Sequence, residues 1–246
     1  MTRMAVYGAG GVGGSFGARL ARAGADVHFI ARGAHLHALR EHGLTVRSVT
    51  GDFHVPAQAT DDPTDIGPCQ YVLFCVKTFD TDAAAARLGP LIGEGTAVVS
   101  LQNGVETRRS SPERSGTTTL WAELPSSAQA GMTAAVRLPI GEIRIVDAAW
   151  VAFNRLVAEV CAVAEADGSP VPQAAQDSAL ALAQAIEPGS FSSLHDDLVA
   201  GRRMELEALH GFVVRRAAQH ALAVPMSDAV YAILQPWAVR NQRAGT

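Results

Sequence analysis

The sequence predicts an α/β fold in which a domain built on a parallel β-sheet precedes an all-helical C-terminal domain. Three observations lead to this prediction. A glycine-rich turn at residues 8–13 separates an apolar strand from a helical pattern. Two later apolar runs, Tyr71 to Val76 and Ala97 to Leu101, are continuous, which is typical of strands buried on both faces of a parallel sheet. From Trp150 onward the chain is rich in alanine with helical periodicity.

The segment from Met4 to Arg32 has the pattern of a strand, a turn, a helix ended by Gly24 and a second strand. Its glycines follow the spacing G-x-G-x-x-G, in which the first permits a tight turn, the second lets a pyrophosphate approach the backbone and the third lets the helix pack on the strand. The helix N-terminus then stabilises the phosphates. The sequence therefore predicts a Rossmann-type dinucleotide site, with a purely structural glycine turn as the alternative. The residues assigned to this site are Gly8, Ala9, Gly10, Gly11, Val12 and Gly13.

Arg32 stands just after the second predicted strand, Val27 to Ile30. Chains that prefer NAD usually have Asp or Glu at this point, where the carboxylate binds the ribose 2′-hydroxyl. A guanidinium suits a 2′-phosphate instead, because its planar fork binds phosphate oxygens in pairs. The sequence therefore predicts NADP(H) as the cofactor, and an ordinary solvated arginine is the alternative.

The elements expected after Arg32 depend on turn residues and short apolar runs. They are a helix over residues 34–42, a hairpin-like pair of strands over 44–49 and 53–55, a polar loop over 61–68, the strand over 71–76, a helix over 78–91 and the strand over 97–101.

Lys77 is the only lysine in the chain, since 19 of the 20 basic residues are arginines. A single lysine that survives such a bias is a candidate for a role that needs a compact, titratable ammonium, although chance survival is the alternative. Lys77 and Asn103 each follow a predicted strand, and ligands of open parallel sheets bind beyond the carboxyl ends of the strands. We therefore expect the glycine turn, Lys77 and Asn103 around one crevice.

The composition excludes several classes of protein. With 246 residues, 48% hydrophobic content and a formal charge of −4, the chain suits one large or two small soluble domains and is not basic enough for nucleic acid binding. No run is long enough to span a membrane and the first strand begins at once, so we expect a cytoplasmic protein. Cys69, Cys75 and Cys161 lack the spacing of a metal site, and we expect buried thiols and no metal.

The C-terminal half predicts helices over residues 150–166, 171–186 and 204–220. Ser192 or Ser193 has the character of an N-cap for a further helix. In the last segment an apolar face is expected, with Glu205 off that face. The residues of that face are Leu206, Leu209, Val213 and Val214.

Four stretches of the sequence resemble the ketopantoate reductases, that is, the 2-dehydropantoate 2-reductases. These stretches are GAGGVGGSFGARLARAGADVHFIAR, CVKTFDTDAAAARLGPLIG, LQNGVE and SFSSLHDDLVAGRRMELEALHGFVVRRAAQHALAVP, and they cover most of the chain in the family's order. The resemblance implies that NADPH reduces a 2-oxo acid between a dinucleotide-binding domain and a helical domain. It places the chain in pantothenate biosynthesis.

The resemblance also implies roles for single residues. Lys77, Asn103 and Glu205 are assigned to catalysis and to cofactor binding, while Asn103 and Ser193 are assigned to the substrate. These residue types suit the chemistry. Ser and Asn side chains can bind the carboxylate and the carbonyl of a 2-oxo acid, and a protein carboxylate can hold the hydroxyl group that develops during reduction. From the residues alone, a helix cap for Ser193 and a solvated helix carboxylate for Glu205 are the alternatives.

The chain departs from the family pattern in its middle. Where members of the family have some tens of additional residues that form further strands, this chain has only a polar stretch over 105–119. The parallel sheet is therefore expected to be truncated. The expected organisation is a dinucleotide-binding domain over residues 1–106, a linker over 107–119 and a helical domain for substrate binding and dimerisation over 120–246. An exposed sheet edge favours a homodimer.

A second departure concerns the general acid. Glu123 occupies the position of the family's catalytic lysine, and Ser127 and Gly131 fall where asparagines are expected. A glutamate with an ordinary pKa is ionised at neutral pH and is an acid only if burial raises its pKa. Three hypotheses follow. The chain is a ketopantoate-type reductase in which Lys77 or Glu123 supplies the proton, a related enzyme whose substrate is another carbonyl or an imine or amine paired with Glu123, or a non-catalytic NADP(H)-binding protein.

Overall fold

The computed structural model describes residues 1–48, 51–103 and 124–244. The chain divides into two compact units, residues 1–102 and 103–246. The first unit is an α/β unit and the second is helical. The domain boundary expected at residue 106 and the linker expected over 107–119 both lie outside the described residues.

The first unit is built on a parallel sheet with the strand order β5-β2-β1-β6-β7. Tyr7 at the end of β1 pairs with Ile30 on one side and with Phe74 on the other, so three carboxyl ends lie level at one edge of the sheet. β3 and β4 form a separate antiparallel hairpin, as predicted. The strands are β1 (Arg3–Tyr7), β2 (Asp26–Ile30), β3 (Leu44–Val46), β4 (Phe53–Val55), β5 (Gln58–Thr60), β6 (Tyr71–Phe74) and β7 (Ala97–Ser100).

Two helices follow the first two strands of the sheet. These are α1 (Gly11–Arg22) and α2 (Gly33–His42). Gly24 ends α1 with a φ of 92°, a conformation that glycine adopts without strain. Close packing of α1 on the sheet depends on Gly17, where a Cβ atom would lie 2.5 Å from the ring of Phe29. Both helices were predicted from the apolar periodicity and the turn residues.

Three expectations for this unit were wrong. The edge strand β5 was not predicted, because its three residues are largely polar. The helix expected over 78–91 is broken into a 3₁₀ turn at Thr78–Asp80, the short helix α3 (Thr81–Ala85) and a 3₁₀ turn at Gly89–Leu91, since Pro90 interrupts the helical hydrogen bonds. β7 was expected to be buried on both faces, but among the described strands it lies at the edge of the sheet, and Val98 and Val99 are 47% and 41% exposed.

The second unit packs its helices around one apolar core, in which Phe153, Leu156 and Leu234 are almost completely buried. The helices predicted over 150–166 and 171–186 correspond to the third and fourth helices of the unit. Its helices are α4 (Leu124–Val136), α5 (Ile140–Arg144), α6 (Asp147–Ala166), α7 (Gln173–Ala185), α8 (Ser193–Val199), α9 (Phe212–Gln219) and α10 (Pro225–Ala244). Among the described residues, no helix is both long and apolar enough to cross a membrane.

The helix predicted over 204–220 begins later than expected. Residues 204–206 are not helical, and a π-helical turn at Glu207–Gly211 precedes α9. In this turn the Gly211 amide donates to the Leu206 carbonyl at 3.0 Å, which spans five residues instead of four. Leu206, Leu209 and Val213 are buried as predicted, while Val214 is only half-buried. π turns of this kind occur frequently at functional sites.

Candidate active site

The glycine turn after β1 has a different steric environment at each glycine. Gly8 has a φ of 99°, and a Cβ atom there would lie 2.9 Å from the backbone of Cys75. At Gly13 a Cβ atom would lie 2.1 Å from the Gly8 carbonyl oxygen, so α1 packs against the turn too closely for a side chain at this position. At Gly10 and Gly11 a Cβ atom would meet nothing within 4 Å. The backbone is therefore open where a pyrophosphate would approach and tightly packed on either side.

The N-terminus of α1 is suited to an anion. Gly10 is the N-cap without a side-chain hydrogen bond, and the first turn contains no acidic residue. The amides of such a turn and the positive end of the helix dipole favour a phosphate. His35 of α2 donates from Nε2 to the Ala9 carbonyl at 2.9 Å and holds the turn from outside. No motif in the sequence pointed to this histidine. These residues fit a dinucleotide.

Arg32 lies directly after β2 and its side chain is 69% exposed. It is not an isolated solvated arginine, because its guanidinium donates to the Asp80 carboxylate at 3.0 Å. Asp80 ends the 3₁₀ turn that follows β6. β2 and β6 flank β1, so this ion pair joins the loops on both sides of the glycine turn. No sequence pattern indicated this pairing, because 48 residues separate Arg32 from Asp80.

Lys77 is half-buried and precedes the 3₁₀ turn after β6, at the sheet edge where the sequence predicted it. Gln102 binds the chain on both sides of Lys77, because its buried amide donates to the Val76 backbone carbonyl at 3.0 Å and to the Thr81 side-chain hydroxyl at 2.8 Å. Gln102 therefore positions the loop that carries Lys77. Its role was missed because it depends on the pairing of β6 with β7.

Asn103 and Glu205 are brought together, although 102 residues separate them in the chain. The Asn103 amide donates to Glu205 Oε2 at 3.4 Å, and Glu205 is only 5% exposed. A carboxylate in such surroundings needs hydrogen-bond donors to offset its lost hydration. The alternative that Glu205 is a solvated helix carboxylate is therefore wrong, because the residue is buried and precedes the π turn rather than lying on an exposed helix face.

Ser192, not Ser193, caps α8. The Ser192 hydroxyl accepts from the His195 amide at 3.1 Å and lies 2.7 Å from the Thr133 hydroxyl of α4. Ser193 is the first residue of α8 and is exposed. A helix cap therefore does not account for Ser193, and its assignment to the substrate stays a prediction.

His210 lies in the π turn and is only 1% exposed. Burial lowers the pKa of this imidazole to about 4, although the nearby Ser127 backbone opposes the shift, and neither ring nitrogen makes a hydrogen bond of normal geometry with a described residue. A Cβ atom at Gly131 would lie 2.3 Å from His210 Nε2. The glycine at a position where the family pattern has asparagine thus makes room for the imidazole, which the sequence reasoning did not identify.

The three cysteines are free, and burial raises the pKa of Cys75 and of Cys161 to about 11. The expectation of buried thiols is confirmed for Cys69 and Cys161, whereas Cys75 is only half-buried. In the described part of the chain, no group of three or more His, Cys, Asp or Glu residues could hold a metal ion. Glu123 lies outside the described residues.

The chain matches two family models, "Ketopantoate reductase PanE/ApbA" over residues 4–142 and "Ketopantoate reductase PanE/ApbA C terminal" over residues 124–238. It is 30% identical to a 2-dehydropantoate 2-reductase of Caulobacter vibrioides over 95% of this chain and 98% of the relative. That alignment spans 291 positions against 246 residues here, so at least 45 positions have no counterpart in this chain.

Solved structures show the same fold. A PanE/ApbA family ketopantoate reductase from Ralstonia eutropha has a TM-score of 0.82 at 28% identity, with 98% of this chain and 100% of that chain covered. D-mandelate dehydrogenase, solved with NADH and anilino(oxo)acetate, has a TM-score of 0.83 at 15% identity over 98% and 99% of the two chains. From its family matches and its glycine turn, this chain belongs to the ketopantoate reductase family.

Proposed function

We propose that the chain is an NADP(H)-dependent oxidoreductase that reduces a 2-oxo acid of the ketopantoate type to the 2-hydroxy acid, pantoate. Family membership supports an oxidoreductase. The observation that carries the proposal is the glycine turn, which is open at Gly10 and Gly11 and is followed by Arg32 at the end of the neighbouring strand. A phosphate on the turn and a 2′-phosphate beside Arg32 would satisfy both features.

The cofactor is held by the first unit in this proposal. The backbone amides of the turn and the α1 N-terminus bind the pyrophosphate, and the guanidinium of Arg32 binds the 2′-phosphate. When bound, the reduced nicotinamide supplies a hydride to the carbonyl carbon of the substrate. Lys77, held by Gln102 through the neighbouring backbone, contributes a positive charge at the same sheet edge.

The substrate is held by polar groups of the second unit in this proposal. Asn103 donates to the substrate carbonyl, and the Ser193 hydroxyl binds the carboxylate. Glu205 accepts a hydrogen bond from Asn103 and fixes the orientation of its amide, because a buried carboxylate is a strong and stationary acceptor. In this proposal Glu205 also accepts a hydrogen bond from the hydroxyl group that forms at the carbonyl oxygen.

Reduction of a ketone leaves an alkoxide that needs a proton, and a general acid contributes typically about 10²–10⁴-fold to the rate. Lys77 is our first candidate for the donor, because a lysine ammonium carries a proton at neutral pH and can donate it to an alkoxide. Glu123 is the second candidate. It can donate only if burial keeps its carboxyl protonated, because an ionised carboxylate repels both the alkoxide and the substrate carboxylate.

A second candidate function follows from the same glutamate. If Glu123 is ionised, its charge favours a substrate with a cationic group, such as an imine or amine, over a 2-oxo acid. A chain that binds the nucleotide without turning over either class of substrate would be a non-catalytic binding protein.

The deciding experiment is the oxidation of NADPH at 340 nm with ketopantoate, at high enzyme concentration. The variants Lys77→Ala and Lys77→Arg are compared with the unaltered chain and with Glu123→Gln. Turnover that is lost in Lys77→Ala and in Lys77→Arg, but retained in Glu123→Gln, would assign the proton to Lys77, because arginine keeps the charge without titrating. No turnover with ketopantoate, but turnover with an imine, would replace the proposal with the second candidate.

We further propose a cytoplasmic homodimer. The support for a dimer is the edge strand β7, which presents apolar side chains and, in the described residues, pairs on one side with β6. Light scattering at increasing protein concentration tests the assembly, and a constant monomer mass would contradict it.

A further inference from the structure

The ion pair between Arg32 and Asp80 lies at the place where the nucleotide's 2′-substituent is expected. Arg32 follows β2, the strand after which dinucleotide folds bind the ribose 2′-position. Asp80 reaches the guanidinium from the loop after β6, at 3.0 Å. The chain therefore presents a cation and an anion together where related folds usually rely on one of the two.

The two charges favour different cofactors. A 2′-phosphate binds the Arg32 guanidinium, where it competes with Asp80 for the N–H donors, and the Asp80 carboxylate then lies beside a dianion that it repels. A 2′-hydroxyl is neutral and can donate to the Asp80 carboxylate while the ion pair remains intact. Both side chains are accessible for such an exchange, since Arg32 is 69% and Asp80 35% exposed.

We infer that Asp80 is the residue that sets cofactor preference in this chain, by competing with the 2′-phosphate for Arg32 and by offering an acceptor to the 2′-hydroxyl. The inference rests on the proposed function, because it takes the nucleotide to lie on the glycine turn. It extends that function in one respect. Arg32 alone predicts a strict preference for NADPH, whereas the Arg32–Asp80 ion pair reduces the difference in affinity between NADPH and NADH, so that NADH also binds.

Isothermal titration of the full chain with NADPH and with NADH tests the inference without reference to turnover. Asp80→Asn keeps the shape of the side chain and removes its charge. A unit charge a few ångströms from a dianion in water-exposed surroundings changes binding by about tenfold. We therefore expect Asp80→Asn to raise the preference for NADPH over NADH by about tenfold, mainly through tighter NADPH binding.

Asp82→Asn is the matched control, because Asp82 is an exposed carboxylate two residues further along the chain. It changes the net charge equally, and we expect it to alter the preference by less than about twofold. Arg32→Gln should remove most of the discrimination between adenosine 2′,5′-bisphosphate and AMP, two probes that differ in the 2′-phosphate.

The outcomes separate the inference from the proposed function. An unchanged preference in Asp80→Asn, or an equal change in Asp82→Asn, overturns the inference while leaving the reductase proposal in place. If Asp80→Asn shifts the preference between NADPH and NADH but the unaltered chain does not reduce 2-oxo acids, the inference is supported and the proposed substrate is wrong. If the unaltered chain binds neither nucleotide, or Arg32→Gln leaves the discrimination unchanged, both the cofactor assignment and the inference fail.

Discussion

Replacement of His210 should change how the stability of the second unit depends on pH. The imidazole is buried, and burial lowers its pKa from 6.5 to about 4. Between pH 6.5 and about 4, His210 is therefore protonated in the unfolded chain and neutral in the folded chain. The free energy of unfolding must then fall as the pH falls from 6.5 to about 4, because stability rises with pH wherever the unfolded state holds more protons.

The magnitude follows from the two pKa values. One pKa unit corresponds to about 1.4 kcal/mol, so the loss attributable to this histidine reaches about 3 kcal/mol near pH 4. Between pH 7.5 and pH 5.5 it amounts to about 1.4 kcal/mol, in a range where few carboxylates titrate. His210→Gln removes the titration and should flatten the pH dependence by that amount.

Urea denaturation at pH 7.5 and pH 5.5, followed by tryptophan fluorescence, measures this difference. Trp150 and Trp237 lie in helices of the second unit and report on its unfolding. His37→Gln is the control, because His37 is exposed in the first unit. If His210→Gln and the unaltered chain lose the same stability between the two pH values, the burial of a neutral imidazole is refuted.

Three further sets of variants test the site. Gly13→Ala should destabilise the first unit by about 2 kcal/mol or more in thermal unfolding, since its Cβ would lie 2.1 Å from a carbonyl oxygen, whereas Gly10→Ala should leave stability unchanged and weaken nucleotide binding in titration calorimetry. Ser192→Ala should cost about 1–2 kcal/mol in urea through loss of the helix cap, while Ser193→Ala should spare stability and raise the KM for the 2-oxo acid. Glu205→Gln should lower kcat for the 2-oxo acid by about tenfold or more, and an unaltered kcat would contradict its assigned role.

Much of the fold was predictable because it depends on local backbone requirements. Gly8, Gly24, Gly43 and Gly51 have positive φ, a conformation that few other residues adopt. Together with the apolar pattern, these turn residues indicated α1, α2 and the β3–β4 hairpin. Apolar runs indicated β6 and β7 as strands. They could not indicate that β7 lies at an edge, because a strand's position in a sheet depends on which partners are present on each side.

The site was predictable only in part, for a related reason. Lys77 lies beyond the carboxyl end of β6, as the sequence predicted. The functions of Gln102 and His35 consist of hydrogen bonds to backbone groups that are distant in sequence, and no local pattern reports such contacts. Ser192 and Ser193 are equivalent by sequence, and the packing of α8 on α4 decides that Ser192 is the buried cap.

The sequence by itself determined the glycine turn and the cation that follows β2, because both depend on residue type and spacing within about thirty positions. The tertiary structure alone decided what those residues face. Strand order brings Asp80 to Arg32, and the packing of the π turn on α4 buries Glu205 and His210. Charge and burial at these positions arise from contacts between distant segments, so only the folded chain decides which groups compete, which remain neutral and which can reach a ligand.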